Sequence, residues 1–361
     1  MEQKQTPKHQ HFAWFHRHRT RYIAIFAVII VVIAAAGAWY ILYAQHKPVS
    51  MDIPKPKVAP KPTPPAKIYS PLTGMEVPDL ATTKREVTAI MIENSPDARP
   101  QSGIKDAGIV YEAIAEGGIT RFVCLYQEAR PGLIGPVRSV RPYYIEWTAS
   151  YNPAYAHVGG SRRALETVRN GEYKDLDQFF NANAYYRSDD RYAPHNVYTT
   201  FDRLDALNKS KGFNESSFTG LPRKDDRPIA TPNASSINVD ISGELYNSAY
   251  TYDKPSNSYA RQQDGAPHLD REAGQIAPKV VAVIKVPIAI GEEDGYREQI
   301  DTNGSGPADI FQDGTVTEGK WVKDGAKGQL SFTDSAGKPL ALNRGQLWVT
   351  AIGTDHDVTW K

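Results

Sequence analysis

The sequence predicts an α+β protein with a single N-terminal transmembrane helix and a β-rich carboxyl-terminal domain. Three observations lead to this fold class. An uncharged apolar run lies near the N-terminus, a proline- and lysine-rich segment follows it, and the rest alternates short apolar runs with turn residues. Lys plus Arg number 42 and Asp plus Glu number 41, so the basic excess typical of nucleic-acid binders is missing and no nucleic-acid partner is expected.

The apolar run covers residues 23–44 and contains no charged side chain. At ~1.5 Å per residue, such a helix spans a hydrocarbon core of ~30 Å. The main alternative is a cleavable signal peptide, for which Ala36-Gly37-Ala38 would suit the cleavage site, but its apolar region is usually only ~7–15 residues long. We therefore expect a retained anchor in the lipid bilayer. Arginines at 17, 19 and 21 favour a cytoplasmic N-terminus and an extracytoplasmic body.

The chain divides into five expected segments. These are a cytoplasmic basic tail (1–22), the transmembrane helix (23–44), a Pro/Lys-rich linker (45–68), an N-terminal α+β domain (69–215) and a C-terminal β-rich domain (216–361). The prolines of the linker favour an extended polyproline II form that holds the body away from the membrane.

A hairpin is predicted in the first domain, with strands over 109–116 and 119–127 joined by Gly117-Gly118, and a further strand precedes it over 87–93. With a two-residue loop, Glu116 should face Ile119, Ala115 should face Thr120, Ile114 should face Arg121 and Ala113 should face Phe122. One face would carry Tyr111, Ala113, Ala115, Thr120, Phe122 and a buried Cys124, and the other Glu112, Ile114, Glu116, Arg121 and Val123. Arg121 would then lie between the carboxylates of Glu112 and Glu116.

Helices are expected over 162–169 and 201–211, with Ser161 and Thr200 as their N-caps. A turn-rich stretch over 212–235 contains the domain boundary. Strands are expected beyond it over 237–241, 249–252, 280–286, 329–333 and 347–352.

Several motifs resemble those of the YerB-like family. They are Glu112-Ala113-Ile114-Ala115-Glu116-Gly117-Gly118, Ile134-Gly135-Pro136-Val137-Arg138-Ser139-Val140-Arg141-Pro142, His157-Val158-Gly159-Gly160-Ser161 and Ala193-Pro194-His195-Asn196, in this order. The resemblance implies a bacterial envelope protein whose N-terminal domain is a layered sandwich of two β-sheets and helices. Family members are commonly lipoproteins of unassigned activity, but no Cys follows the apolar run here, so the helix is expected to replace the lipid.

The segment from His157 to Arg162 admits three interpretations. A Gly-Gly turn before a capped helix can bind a carboxylate or phosphate through backbone N–H groups, with Arg162 or Arg163 closing over it. Ser161 could instead be a nucleophile with His157 or His195 as its base. The third interpretation is a strand-to-helix turn with a structural N-cap.

Other polar residues extend the candidate site. Glu112 and Glu116 could provide acid–base chemistry, although four strand residues separate them by about 13 Å, more than glycosidase mechanisms use. An ion pair with Arg121 is the simpler interpretation. Loop arginines without local acidic neighbours (Arg99, Arg138 and Arg141) suit anion capture.

The expected ligand-binding set is Arg121, Arg138, Arg141, Gly159, Gly160, Ser161, Arg162 and Asn196, and the catalytic candidates are Ser161, His157, His195, Glu112 and Glu116. No cofactor motif is present in the sequence, and His268 with Asp270 is too sparse to predict a metal site. The predicted function is binding of an anionic wall polymer, glycan, peptide or protein partner. The alternative is a cell-envelope hydrolase.

Overall fold

Helix α1 (Arg19–Gln45) contains the predicted membrane anchor. The computed structural model describes residues 19–46, 66–291 and 295–361, so the tail before Arg19 and the linker over 47–65 lie outside the described residues. Helix α1 is long and apolar enough to cross a membrane. The chain divides into two units, residues 1–64 and 65–361, and the second unit contains the body.

The body contains short helices, two of which begin directly after the predicted N-caps Ser161 and Thr200. The helices are α2 (Leu80–Lys84), α3 (Pro142–Thr148), α4 (Arg162–Val168) and α5 (Phe201–Ser210). The side chain of Ser161 accepts from the Ala164 N–H and that of Thr200 from the Arg203 N–H, which confirms both predicted N-caps. Helix α3 was not predicted from the sequence.

Strands are the main regular secondary structure of the body. They are β1 (Ile68–Tyr69), β2 (Glu76–Val77), β3 (Thr88–Glu93), β4 (Ile109–Glu116), β5 (Ile119–Tyr126), β6 (Ala154–His157), β7 (Lys174–Asp177), β8 (Tyr186–Arg187), β9 (Val197–Tyr198), β10 (Arg223–Lys224), β11 (Ser236–Val239), β12 (Ser248–Asp253), β13 (Ser258–Gln263), β14 (Ala266–Pro267), β15 (Leu269–Asp270), β16 (Gly274–Gln275), β17 (Val280–Val286), β18 (Ile288–Ile290), β19 (Glu298–Ile300), β20 (Gly304–Gln312), β21 (Thr315–Lys323), β22 (Ser331–Asp334), β23 (Leu342–Asn343), β24 (Leu347–Gly353) and β25 (Val358–Trp360).

Ten strands form one mixed sheet in the order β22-β21-β20-β17-β24-β4-β5-β3-β6-β7. Strand β24 comes from the end of the chain and pairs in parallel with β4. The sheet therefore runs across the predicted boundary at 215/216, and that division stays a prediction. A second sheet has the order β14-β13-β12-β11-β25.

The two faces of the ten-stranded sheet are covered by different elements. On one face, Tyr111 stacks on Trp147 of α3 with ring centroids 5.9 Å apart. On the other face, Phe122 packs edge-on against Trp348 in a core that includes Ile237 of the second sheet. Helices, the large sheet and the second sheet thus form layers, as expected of an α+β sandwich.

The hairpin of β4 and β5 departs from the predicted register. Glu116 faces Ile119 as predicted, but Ile114 faces Thr120 because Ala115 forms a β-bulge. The extra residue reverses which face of the sheet each side chain occupies on the far side of the bulge. Residues that were expected on one face are therefore divided between the two faces of the sheet. The remaining pairs become Ala113 with Arg121 and Glu112 with Phe122, and Cys124, buried as predicted, faces Val110.

The shifted register places Glu112 on the face toward the second sheet. Its two carboxylate oxygens accept from one Arg261 nitrogen, at 2.9 and 2.8 Å, and the Trp348 Nε1 donates to it at 2.9 Å. Both charged side chains are 0% exposed. Arg261 also donates to Nδ1 of His268, whose Nε2 lies 3.0 Å from the Gln101 side-chain oxygen. Since Nδ1 accepts and Nε2 donates, this imidazole is neutral.

Acid should destabilise the body through His268. Burial, followed by the charges of Arg261 and Arg99, holds the pKa of His268 well below its ordinary value of 6.5. Below pH 6.5 the unfolded chain therefore binds a proton at His268, whereas the folded chain does not. The free energy of unfolding consequently falls as the pH decreases. Between pH 7.5 and 5.0 this group should remove about 2 kcal/mol from the free energy of unfolding.

Urea unfolding of the full chain in detergent micelles at both pH values measures this loss. The His268→Gln variant has no titrating group at this position, while the other titrating groups are common to both proteins. Its pH-dependent loss should therefore be smaller by about 2 kcal/mol. An equal loss in both proteins would contradict a neutral, buried His268.

Candidate functional site

Three neighbouring parallel strands end at one edge of the large sheet. Strand β3 pairs in parallel with β6, and β6 pairs in parallel with β7. Their last residues are Glu93, His157 and Asp177, so three polar side chains lie at this edge. His157 and Asp177 are paired in register, and Glu93 ends a longer neighbouring strand. The carboxyl ends of parallel strands are where ligands bind in many sheets with helices on their faces.

An open cleft of about 450 Å³ lies at this edge and is called the arginine cleft here. Its walls are loops beside the strand ends, part of α4, and residues of β8 and β9. The lining residues are Val137, Arg138, Ser139, Val158, Gly159, Gly160, Leu165, Arg169, Phe179, Arg187, Pro194 and Val197. Three predicted site residues, Arg138, Gly159 and Gly160, therefore line one cleft.

The Gly-Gly turn is held mainly by contacts within the protein. The Gly159 N–H donates to Asp177 Oδ1 at 3.0 Å, so this group is not available to a ligand. Gly159 has a φ of +59°, and a Cβ on Gly160 would lie 2.8 Å from a Val140 methyl group. Both glycines are thus explained by backbone conformation and packing.

Ser161 and His157 do not form a nucleophile–base pair in the structure. Ser161 is buried, and its hydroxyl oxygen caps α4. The two ring nitrogens of His157 face the Gly159 carbonyl at 2.8 Å and Asp175 at 2.9 Å. Burial raises the pKa of Asp175, but the hydrogen bond and charge of His157 outweigh burial and leave the pKa below 3.8.

His195 joins a different cluster beside the cleft. Its Nδ1 lies 2.7 Å from one oxygen of Glu93, and the other oxygen lies 3.1 Å from Nε of Arg138. Ser95 donates to the same Glu93 carboxylate at 2.8 Å. Glu93 is buried, whereas the His195 side chain is 22% exposed, so the imidazole reaches solvent while its Nδ1 is fixed.

Arg121 and Arg141 do not line the arginine cleft, and both bind Glu116. The predicted Glu116–Arg121 ion pair is present at 3.0 Å, and Nε of Arg141 donates to the other Glu116 oxygen at 3.0 Å. Burial raises the pKa of Glu116, but both guanidinium groups outweigh it and hold the pKa below 4.5. Arg141 and Ser161 line a separate pocket of about 330 Å³.

The remaining candidates have structural contacts or lie outside the cleft. Asn196 accepts from Arg187 at 2.7 Å and so supports the cleft wall, whereas Arg162 is exposed and does not line the cleft. Asp270 accepts from the Lys105 N–H at 3.1 Å and braces a loop. Arg99 donates to the Asn94 carbonyl at 3.0 Å.

Four residues in or beside the cleft were not predicted from the sequence: Glu93, Arg169, Arg187 and Phe179. Arg169 pairs with Asp177 across the end of β7 and lies over the Phe180 ring at 4.8 Å. One signal was available, because two acidic residues alternate with Leu176 in β7. Since β7 was not predicted, its end could not be placed beside the ends of β3 and β6.

The fold and cleft define an α+β body with an arginine-lined opening, in a chain that also has an N-terminal helix long and apolar enough to cross a membrane. The description "Protein of unknown function (DUF3048) N-terminal domain" matches residues 72–214, and the corresponding C-terminal domain matches residues 237–349. The chain therefore belongs to the DUF3048 family.

A relative from Bacillus subtilis (strain 168), named "Putative lipoprotein YerB", is 33% identical over 294 residues. The match covers 79% of this chain and 86% of the relative. The crystal structure of YerB from Bacillus subtilis matches with a TM-score of 0.73 and 30% identity, over 81% of this chain and all of that one. The resemblance to YerB-like proteins and the α+β fold class are thereby confirmed.

The stability of the Gly159-Gly160 turn beside the arginine cleft should depend on Asp177. Its buried carboxylate accepts from the N–H groups of Gly159 and Phe179, at 3.0 and 3.2 Å, and pairs with Arg169. Asp177→Ala should lower the free energy of unfolding by about 2–3 kcal/mol, because hydrogen bonds to a charged group are lost. Asp189→Ala, at an exposed position, is the control. Equal stabilities of the two variants in urea unfolding would refute this role.

Proposed function

We propose that the protein is a membrane-anchored, extracytoplasmic envelope protein whose arginine cleft binds an anionic wall polymer, glycan or peptide. Helix α1 would anchor this chain in the membrane, in place of the lipid that the name of the relative, a lipoprotein, implies. Arginines at 17, 19 and 21 before the apolar run favour a cytoplasmic N-terminus, which leaves the body outside.

The observation that carries this proposal is the presence of Arg138, Arg169 and Arg187 around one cleft. A guanidinium group has five N–H donors, and planar pairs of them match carboxylate and phosphate oxygens. Buried Glu93 and Asp177 orient two of these groups, which reduces the entropy lost when a ligand binds. Arg187 is exposed, so its charge is directly accessible to a ligand.

A second candidate function, hydrolysis of an envelope ester, amide or glycosidic bond, is favoured by the His195–Glu93 contact. A carboxylate on Nδ1 fixes the ring and directs Nε2 outward, which is how many general bases are arranged. The 2.7 Å contact meets the first condition, and the His195 side chain is partly exposed, with Nε2 3.9 Å from the exposed carboxylate of Asp97. A water molecule at Nε2 would then be the nucleophile.

Binding should weaken when Arg187 loses its charge. Full-length protein in detergent micelles is mixed with purified bacterial cell-wall fragments, and the retained protein is measured by co-sedimentation. Arg187→Gln should weaken retention about tenfold, because one charge-assisted contact is lost. High salt should weaken retention by the wild-type protein as well.

Arg162→Gln is the matched control, since Arg162 is an exposed arginine outside the cleft. Weakening by Arg162→Gln alone would move the site to the start of α4 and contradict the cleft. Release of soluble fragments by the wild type, lost in His195→Gln, would instead support hydrolysis. Absence of retention and of release would refute both functions.

A further inference from the structure

Two adjacent phenylalanines are exposed at the end of β7. Phe179 and Phe180 each have 70% of their surface accessible to solvent. Single exposed apolar side chains are common, but two consecutive ones beside a polar cleft are candidates for a binding surface. This aromatic pair is therefore a feature that the anion-binding proposal does not use.

The backbone of this aromatic pair is held by hydrogen bonds. The Phe179 N–H donates to the Asp177 carboxylate at 3.2 Å, and the Phe180 N–H donates to the Asp177 carbonyl at 3.1 Å. The Asn181 side chain donates to the same carbonyl at 2.8 Å. The two rings therefore project from an ordered turn.

Phe179 is part of the arginine cleft. Its ring lies over the Gly159 turn, 3.1 Å from where a Cβ on Gly159 would lie, and it lines the cleft with Arg169 and Arg187. An aromatic surface and guanidinium groups are thus available to the same bound molecule.

We infer that the anionic ligand of the cleft is a saccharide that bears a carboxylate, with a sugar ring against Phe179 and the acid group on the arginines. This inference rests on the proposed function and narrows its ligand. A polyphosphate would satisfy the arginines but leave the Phe179 ring in water. A purely apolar partner would desolvate the guanidinium groups without pairing them, which is costly. A sugar acid presents an apolar C–H face together with a carboxylate and so uses both features.

Isothermal titration calorimetry of the full chain in detergent micelles tests the inference with three probes. They are hyaluronate hexasaccharide, which carries uronate carboxylates, neutral chitohexaose, and polyphosphate. Hyaluronate should bind the wild type, and Phe179→Ala should weaken it at least about tenfold through loss of the apolar contact. Chitohexaose, which lacks the acid group, should bind at least about tenfold more weakly than hyaluronate.

Two variants make the result specific. Phe179→Tyr keeps the ring and should retain binding, and Tyr192→Ala removes an aromatic side chain that is 92% exposed outside the cleft and should change nothing. Binding of hyaluronate that is unaffected by Phe179→Ala, or binding of polyphosphate alone, would overturn the saccharide inference while anion binding stands. Failure of both anions to bind would overturn the proposed function as well.

Discussion

The body depends most on the buried ion pair between Glu112 and Arg261. It joins β4 of the large sheet to β13 of the second sheet, and neither side chain is exposed. Such a pair adds little net stability because both charges lose their hydration. Its effect is specificity, since a one-residue slip of either strand would leave a charge buried without its partner.

A chain of hydrogen bonds leads from this pair toward the arginine cleft. Thr120 contacts Glu112 at 3.4 Å and accepts from the Asn94 side chain at 2.6 Å. Gln101 donates to the Asn94 side chain at 2.9 Å and to the Glu93 carbonyl at 3.0 Å. The end of β3 is thereby fixed, together with the Glu93 carboxylate that orients groups beside the cleft. The Glu112–Arg261 ion pair, which joins the two sheets, is thus also connected to the Glu93 carboxylate beside the arginine cleft.

Local signals in the sequence predicted much of the fold, because caps, turns and strand periodicity act over a few residues. The Ser161 cap and the bounds of β4 are examples. The bulge at Ala115 was not predictable, since it depends on which face each side chain can occupy in the assembled layers. The site was only partly predicted for the same reason. The Asp177 carboxylate, 18 residues further along the chain, accepts a hydrogen bond from the Gly159 N–H. The turn is therefore satisfied by the protein itself, which the local sequence does not reveal.

A double-mutant cycle on the buried pair tests this account most directly, by urea unfolding of the full chain in detergent micelles. Glu112→Gln and Arg261→Met should each lower the free energy of unfolding by about 3–5 kcal/mol, because each leaves a buried group without its partner. The double variant should lose at least about 2 kcal/mol less than the sum of the two. The exposed pair Glu172–Lys327, treated in the same way, should show no measurable coupling because solvent screens both charges. Additive effects at Glu112 and Arg261, or losses no larger than at the exposed pair, would contradict the account.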